Sequence, residues 1–350
     1  VGSEMCIRDR LQFDGGLDLS LFKHLVDLQF NYFYANSYDL LLDRNISSVY
    51  GSSIYYDNTA EISTQGYEFA LRLNPVHTKD FDWVIAGNIA TAKSTVESLG
   101  NTQTQDIIDF KAYNEDDAQV ITKVGRSPYE FYGYETNGVY ATTQEALASG
   151  LKNSYGNNYR GGDVRFVDQN HDGVINDEDR VSLGSATPDF FGGLSTTFRY
   201  KWISLKADFG YSVGNKAYNA TRRMSESMST FYNQSTSVLN RWQVEGQVTD
   251  MPRAAYGDPS GNNFFSDRWV EDASYFKLRA LTLAFHFDNK MLKFCQSGTI
   301  YVTGENLFTA TDYLGSDPEF NYSYSESMRG FDYAKVSLPI TIKVGFNLNF

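Results

Sequence analysis

The feature that most constrains this chain is the strict alternation that closes it. Ile340, Ile342, Val344, Phe346, Leu348 and Phe350 alternate with Thr341, Lys343, Gly345, Asn347 and Asn349. Successive side chains leave a strand on opposite faces, so this segment has one apolar and one polar face. Its length matches the roughly 9–11 residues with which a tilted strand crosses a bilayer, and the terminal Phe350 reads as a barrel-assembly signal. The pattern recurs upstream. Val26, Leu28, Phe30, Tyr32 and Tyr34 alternate with Asp27, Gln29 and Asn31; Tyr67, Phe69, Leu71 and Leu73 with Glu68, Arg72 and Asn74; Ile203, Leu205, Ala207, Phe209 and Tyr211 with Ser204, Lys206 and Asp208. In a soluble sandwich these faces meet core and solvent, in a large barrel lipid and lumen, and periodicity by itself does not separate the two.

Connection lengths do. Alternation places strands near residues 12–22, 25–41, 62–75, 80–96, 189–200, 202–214, 272–287, 298–306 and 338–350. The links are very short near Lys23, long at 42–61, short at 76–79, very long at 97–188, one residue at Lys201, long at 215–271, modest at 288–297 and long at 307–337. Short periplasmic turns alternating with long extracellular loops are the topology of outer-membrane barrels. This order sets the C-terminus on the periplasmic side. It also puts Trp83 and Trp202 just after short turns, either in an interfacial aromatic belt or packed against the turns themselves. Within 272–287 the alternation changes phase from Ala280 to Leu281, which predicts a bulge. Bacterial single-chain barrels usually have even strand numbers, so nine strands imply that others precede them.

Composition narrows the function. A formal charge of −13 argues against a nucleic-acid partner, because phosphate binding needs a basic footprint; a cation or neutral polar solute fits better. No apolar run is long enough for a transmembrane helix, while a mean hydropathy of −0.41 leaves a membrane barrel open, since only alternate side chains meet lipid. Cys6 and Cys295 are too few for a disulfide framework and stand apart from any second ligand. Residues 1–10 begin without Met, hold no apolar export segment and break the alternation that follows. We read them as foreign, adapter-derived sequence, and 11–350 as the C-terminal part of a barrel.

One loop carries a metal-like spacing. Asp168, Asn170 and Asp172 precede Gly173, with Val174 offering a carbonyl and Asp179 closing the series, the order of a calcium-binding EF-hand loop. The flanks are loop or strand instead of paired helices, and Asp179 stands where the strongest sites have Glu. Calcium and a self-bonded Asx turn are both open readings; no cofactor is otherwise required. Enzyme signatures are absent: there is no GxSxG, P-loop, GxGxxG or HExxH, and His24, His77, His171 and His286 are scattered. Asp116, Asp117 and Asp177 offer only a coincidental carboxylate pairing among 43 acids. The chain is therefore read as a non-enzyme. The long loops are rich in aromatics, of which Tyr132, Tyr134, Tyr155, Tyr232, Phe264 and Tyr322 are the candidates for stacking on substrate or contacting a lid; packing the loops together is the alternative for each.

Blocks along 11–350 resemble the SusC/RagA-type TonB-linked outer-membrane proteins of Bacteroidota. Gly15-Gly16-Leu17-Asp18-Leu19 followed by 25–42, Gly66-Tyr67-Glu68-Phe69, Gly125-Arg126-Ser127-Pro128 with Tyr132-Gly133-Tyr134 and Gly138-Val139-Tyr140, and Gly162 through Pro188 stand in the family's order. So do Asp272 to Arg279, Glu305-Asn306-Leu307-Phe308, and Gly315-Ser316-Asp317-Pro318-Glu319. The resemblance implies an all-β fold: an antiparallel transmembrane β-barrel of 22 strands, of which about nine are present here, with long extracellular loops. It further implies an N-terminal plug and TonB box, a SusD-like surface lipoprotein partner, a bacterial outer-membrane location, and TonB-dependent import of oligosaccharides or oligopeptides. A passive porin and a secreted glycan-binding β-sandwich are the alternatives.

Overall fold

The computed structural model describes residues 9–45, 47–51, 54–100, 107–110, 119–288, 291, 295–320, 323 and 325–350. Nine long strands dominate: β1 (Asp9–Leu21), β2 (Val26–Asn45), β3 (Ile54–His77), β4 (Phe81–Leu99), β5 (Phe190–Tyr200), β6 (Ile203–Val213), β7 (Tyr275–Asp288), β8 (Ser297–Thr311) and β9 (Thr341–Asn349). Each pairs antiparallel with the next along the chain, in one sheet. β1 and β9 form its two edges and do not pair with each other.

The register turns the alternation into two continuous faces. Leu17, Phe30, Phe69, Ile89, Gly192, Tyr211, Phe276 and Ala310 form one row across eight strands. The neighbouring row on the other face is Asp18, Gln29, Ala70, Asn88, Gly193, Gly210, Lys277 and Thr309. On β9 the apolar set is bare, with Ile342, Val344 and Phe346 exposed by 72%, 73% and 70%. A sandwich would bury that face under a second sheet, whereas a barrel wall leaves it to lipid. The polar face holds a groove of about 720 Å³ lined by Asp18, Asp27, Gln29, Arg72, Asn88 and Asp208, as a lumen surface should. Among the described residues no helix is long and apolar enough to cross a membrane. The sheet is a stretch of transmembrane barrel wall.

Sequence and structure differ where alternation breaks. The expected loop at 42–61 is mostly strand: β2 and β3 run on beyond register shifts near Leu40, where Asp39 adopts φ +56°, and leave only 46–53 as the connection. β8 was expected to stop at 306 but continues to Thr311, past an irregularity at Asn306 and Leu307, with Asn306 at φ +55°. The phase change in β7 is a bulge: Leu278 and Ala280 face consecutive residues Phe209 and Asp208 of β6, so Arg279 is extra. β1 begins at Asp9, which pairs with Tyr38, so the sheet takes in Asp9 and Arg10 of the segment read as foreign; residues 1–8 lie outside the described residues.

The described residues of the three longest connections (100–189, 214–274 and 312–340) fold together as a canopy. Its first core joins all three: Phe131, Tyr218, Phe265, Trp269 and Phe331 are each fully buried, with Phe131 and Phe331 rings 5.4 Å apart. A second core gathers Tyr134, Tyr140, Tyr159, Val164, Phe166 and Ile175. A small sheet sets Lys216–Asn219 between Val270–Asp272 and Phe331–Asp332, crossing connections again. Gly330 marks the junction. At φ +78°, a Cβ there would meet Ala186 and Phe131, both of the first connection, at 2.5 and 2.9 Å. Two short helices, α1 (Thr143–Ala148) and α2 (Ala220–Glu226), start on caps: Thr142 accepts from Glu145 N–H, and Asn219 from Arg222 N–H.

Candidate binding site beneath the canopy

The canopy is fastened to the polar face of the wall by charge. Lys277 stands in the lumen row of β7, only 1% exposed, and its Nζ lies 3.1 and 3.3 Å from the Asp317 carboxylate and 3.4 Å from Glu319. The bulged Arg279 reaches Glu319 through Nη2 at 2.7 Å. Asp317 also accepts the backbone N–H groups of Glu319 and Leu338, so both of its oxygens have partners. A buried ammonium without such a counter-charge would be costly; here it pins connection 312–340 over the lumen. These residues sat in two quoted blocks, Asp272 to Arg279 and Gly315 to Glu319, but no spacing along the chain foretells that the blocks meet.

Beside this cluster, between wall and canopy, is a cleft of about 670 Å³. Tyr129, Phe191, Tyr275 and Phe320 supply ring surface to it; Arg279, Glu319, Glu326 and Arg329 supply charge; Ser127 and Asn215 supply hydrogen-bonding groups. The charges balance, with Arg279 on Glu319 and Arg329 3.8 Å from Glu326. Rings with balanced polar groups suit a neutral or zwitterionic oligomer, in which apolar faces alternate with hydrogen-bonding edges. None of these four rings is among the six aromatic candidates, because Tyr129, Phe191, Tyr275 and Phe320 carry no signal beyond that of ordinary strand or loop residues.

The six aromatic candidates separate. Tyr134 is 3% exposed and stacks on Phe264 at 5.3 Å, edge-on to Phe166, with Arg180 over its ring at 5.1 Å. Burial pushes its hydroxyl pKa up to about 12. Tyr134 and Phe264 thus pack the canopy, which corrects their candidacy as substrate contacts: a ring already covered on its faces has none to offer. Tyr132 is half-buried. Tyr155 and Tyr232 are exposed by 80% and 73% and stay available, and Tyr322 lies outside the described residues, as do Asp116 and Asp117.

The Asp168–Asp179 loop holds itself. Asp168 accepts from the N–H of His171 and of Gly173, Asn170 from Asp172, and Asp172 from Val174. The fully buried Asp179 accepts from Gln169 and Asn176 N–H at 2.9 and 2.8 Å. Gly173 makes the turn at φ +83°. Among the described residues, no three His, Cys, Asp or Glu side chains gather to hold a metal ion. The geometry is that of the Asx-turn reading.

The chain is similar to known proteins over almost its whole length. It is 31% identical to TonB-dependent receptor P3 of Formosa agariphila over 97% of this chain and 34% of that protein. It is 29% identical to TonB-dependent receptor P26 of the same organism, over 96% and 34%, and 24% identical to TonB-dependent receptor SusC of Bacteroides thetaiotaomicron, over 84% and 27%. It spans about a third of the length of these curated relatives. Among solved structures, the RagAB peptide transporter superposes with a TM-score of 0.76 over 98% of this chain and 35% of its own, at 21% identity, which bears on fold alone. The same importer in its open-open state gives 0.78 at 22% identity. No family model matches the chain.

Proposed function

The chain belongs to the SusC/RagA-type TonB-dependent receptors, and on that premise we propose that it forms wall and outer gate of an active outer-membrane importer of oligosaccharides or oligopeptides. It works with a SusD-like surface lipoprotein and draws its energy through TonB. The short turns and the C-terminus face the periplasm; the canopy faces outside. The observation that carries the reading is the seating of one structured canopy on the polar face of a wall whose other face is apolar and bare. A passive pore needs no gate fastened by a buried lysine.

In this reading a solute enters past the canopy, meets the aromatic and charged cleft at the wall, and passes along the groove that holds Asp18, Asp27, Arg72 and Asp208. Weak contacts spread along such a path bind without trapping, which transport requires. The relatives named for peptide transport and for TonB support the class of cargo and the energy source for those proteins. The test is to express the gene together with any adjacent gene for a SusD-like lipoprotein, extract outer membranes with detergent and pull down one partner. Co-purification of a stable membrane complex, followed by energy-dependent uptake of labelled oligomers, is the expected result. A monomer soluble without detergent would overturn the proposal.

A further inference from the structure

We propose that a second cleft, within the canopy between α2 and residues 236–251, binds a carboxylate group through Arg268. The cleft measures about 700 Å³ and is lined by Ser237, Asn240, Gln247 and Thr249, with Leu239 and Val248 at its exposed rim. Two arginines reach it, Arg222 and Arg268. Both stack on the fully buried Trp269, with their guanidinium carbons 5.2 and 4.7 Å from the ring centroid.

The two differ in their partners. Arg222 is ion-paired to Glu226 through Nε at 3.0 Å and to Glu271 through Nη1. Arg268 donates Nη1 to the Asn262 carbonyl at 2.9 Å, and among the described residues no carboxylate lies within ion-pair distance of it. Burial lowers its pKa, but only to about 10, so it stays charged at neutral pH. A half-buried guanidinium with no carboxylate in contact is stabilised by an anion that arrives beside it. With Nη1 engaged, the edge left over is Nε and Nη2, the fork that matches a carboxylate in bidentate fashion.

The surrounding acids do not fill that place. Glu226 lines the same cleft but is taken by Arg222 and by the Ser237 hydroxyl at 2.7 Å. Asp267 turns to Thr136, accepting from its N–H at 3.1 Å and its hydroxyl at 2.6 Å. Asp250 lines the cleft exposed and opposes an incoming anion. A uronate sugar and an acidic peptide both present the required group, and the hydroxyls and amides of the lining serve either.

This site goes beyond the importer reading and needs only the canopy fold, so failure to co-purify a lipoprotein leaves it standing. Calorimetric titration of the detergent-purified protein with a galacturonate trisaccharide, its neutral counterpart and an acidic tripeptide tests it. A carboxylate probe is expected to bind at least about tenfold more tightly than the neutral sugar, and weaken as salt rises. Arg268→Lys, which keeps the charge and loses the fork, is expected to cost about tenfold; Asp250→Asn is expected to tighten binding. Val248→Trp, at a 90% exposed rim position, blocks the cleft without disturbing the core. A response to the trisaccharide alone or to the peptide alone supports the site and names its source. Equal binding of neutral and charged sugars, no binding of either carboxylate probe, or unchanged affinity in both Arg268→Lys and Val248→Trp overturns it.

Discussion

The wall and the canopy are built from similar residues turned opposite ways. Val344 of the wall is 73% exposed and Val164 of the canopy not at all; Phe346 is bare, whereas Phe131 is sealed. The wall puts its apolar rows outside and its Asp, Arg and Lys rows inside, while the canopy keeps rings at its centre and charge at its surface. The difference teaches which solvent each part meets. Exposed apolar surface of that extent is stable only against lipid, and a ring-filled core is what a water-facing domain requires. The two parts also differ in range of contact. Every wall strand pairs with its neighbour in sequence, whereas the canopy joins Phe131 to Phe331 across 200 residues of chain.

The sharpest break of this contrast is Phe131→Ala. Emptying that position costs about 3–5 kcal/mol, and hydrogen exchange is expected to rise throughout the canopy while β1 to β9 keep their protection. Loss of protection in the wall as well would mean that the two parts unfold as one. Next comes Lys277→Met, which leaves Asp317 unpaired and costs about 3 kcal/mol, the low end for a broken buried pair. Its expected signature is protease cleavage within 312–340 in an otherwise intact barrel. Val344→Arg places a charge on the lipid face and costs roughly 2–4 kcal/mol if it sits near mid-bilayer, whereas Lys343→Ala on the lumen face, which loses the pair with Glu305, costs at most about 1 kcal/mol. Folding into lipid vesicles measures both, and equal effects would reverse the assignment of faces.

Alkali is a gentler probe. Tyr134 has its pKa raised by burial from 10.0 to about 12. For an acid held neutral in this way, the contribution to stability is complete below pH 10 and is lost as pH climbs towards 12, because the unfolded state releases its proton first. Near-ultraviolet circular dichroism is expected to show the canopy loosening in that window, and Tyr134→Phe to lessen the change. Burial also raises the pKa values of Tyr159 and Tyr313, so they extend the loosening to higher pH. The smallest effect is expected from calcium: with the Asp168 and Asp179 oxygens already on backbone N–H groups, adding calcium or a chelator leaves the melting of the canopy unchanged.

The wall was legible in the sequence because a strand with one face in lipid must alternate, and alternation survives in a string of letters. All nine strands stand where the pattern put them, and the bulge in β7 announced itself as two apolar residues out of phase. Legibility stopped at Asp39 and Asn306, where positive-φ residues break the period while hydrogen bonding continues. In the canopy it failed for a different reason. Tyr134 and Tyr155 look alike in sequence, yet one is enclosed by Phe166 and Phe264 and the other projects into solvent, and only contacts between distant segments decide which. Lys277 and Asp317 are 40 residues apart and equally silent.

The extra residue in β7 fixes the parity of everything on its canopy side. Leu281, Leu283 and Phe285 point outward below it and Leu278 and Phe276 point outward above it only because Arg279 occupies a step that β6 does not match. Remove that one residue and Leu278 follows Ala280 in plain alternation, so Leu278 still points outward and Lys277 still meets Asp317; only the contact of Arg279 with Glu319 is lost. A deletion at the bulge is therefore absorbed by its disappearance. A residue inserted there and paired instead of bulged has no such outlet: it turns Lys277 to lipid and separates the canopy from its anchor.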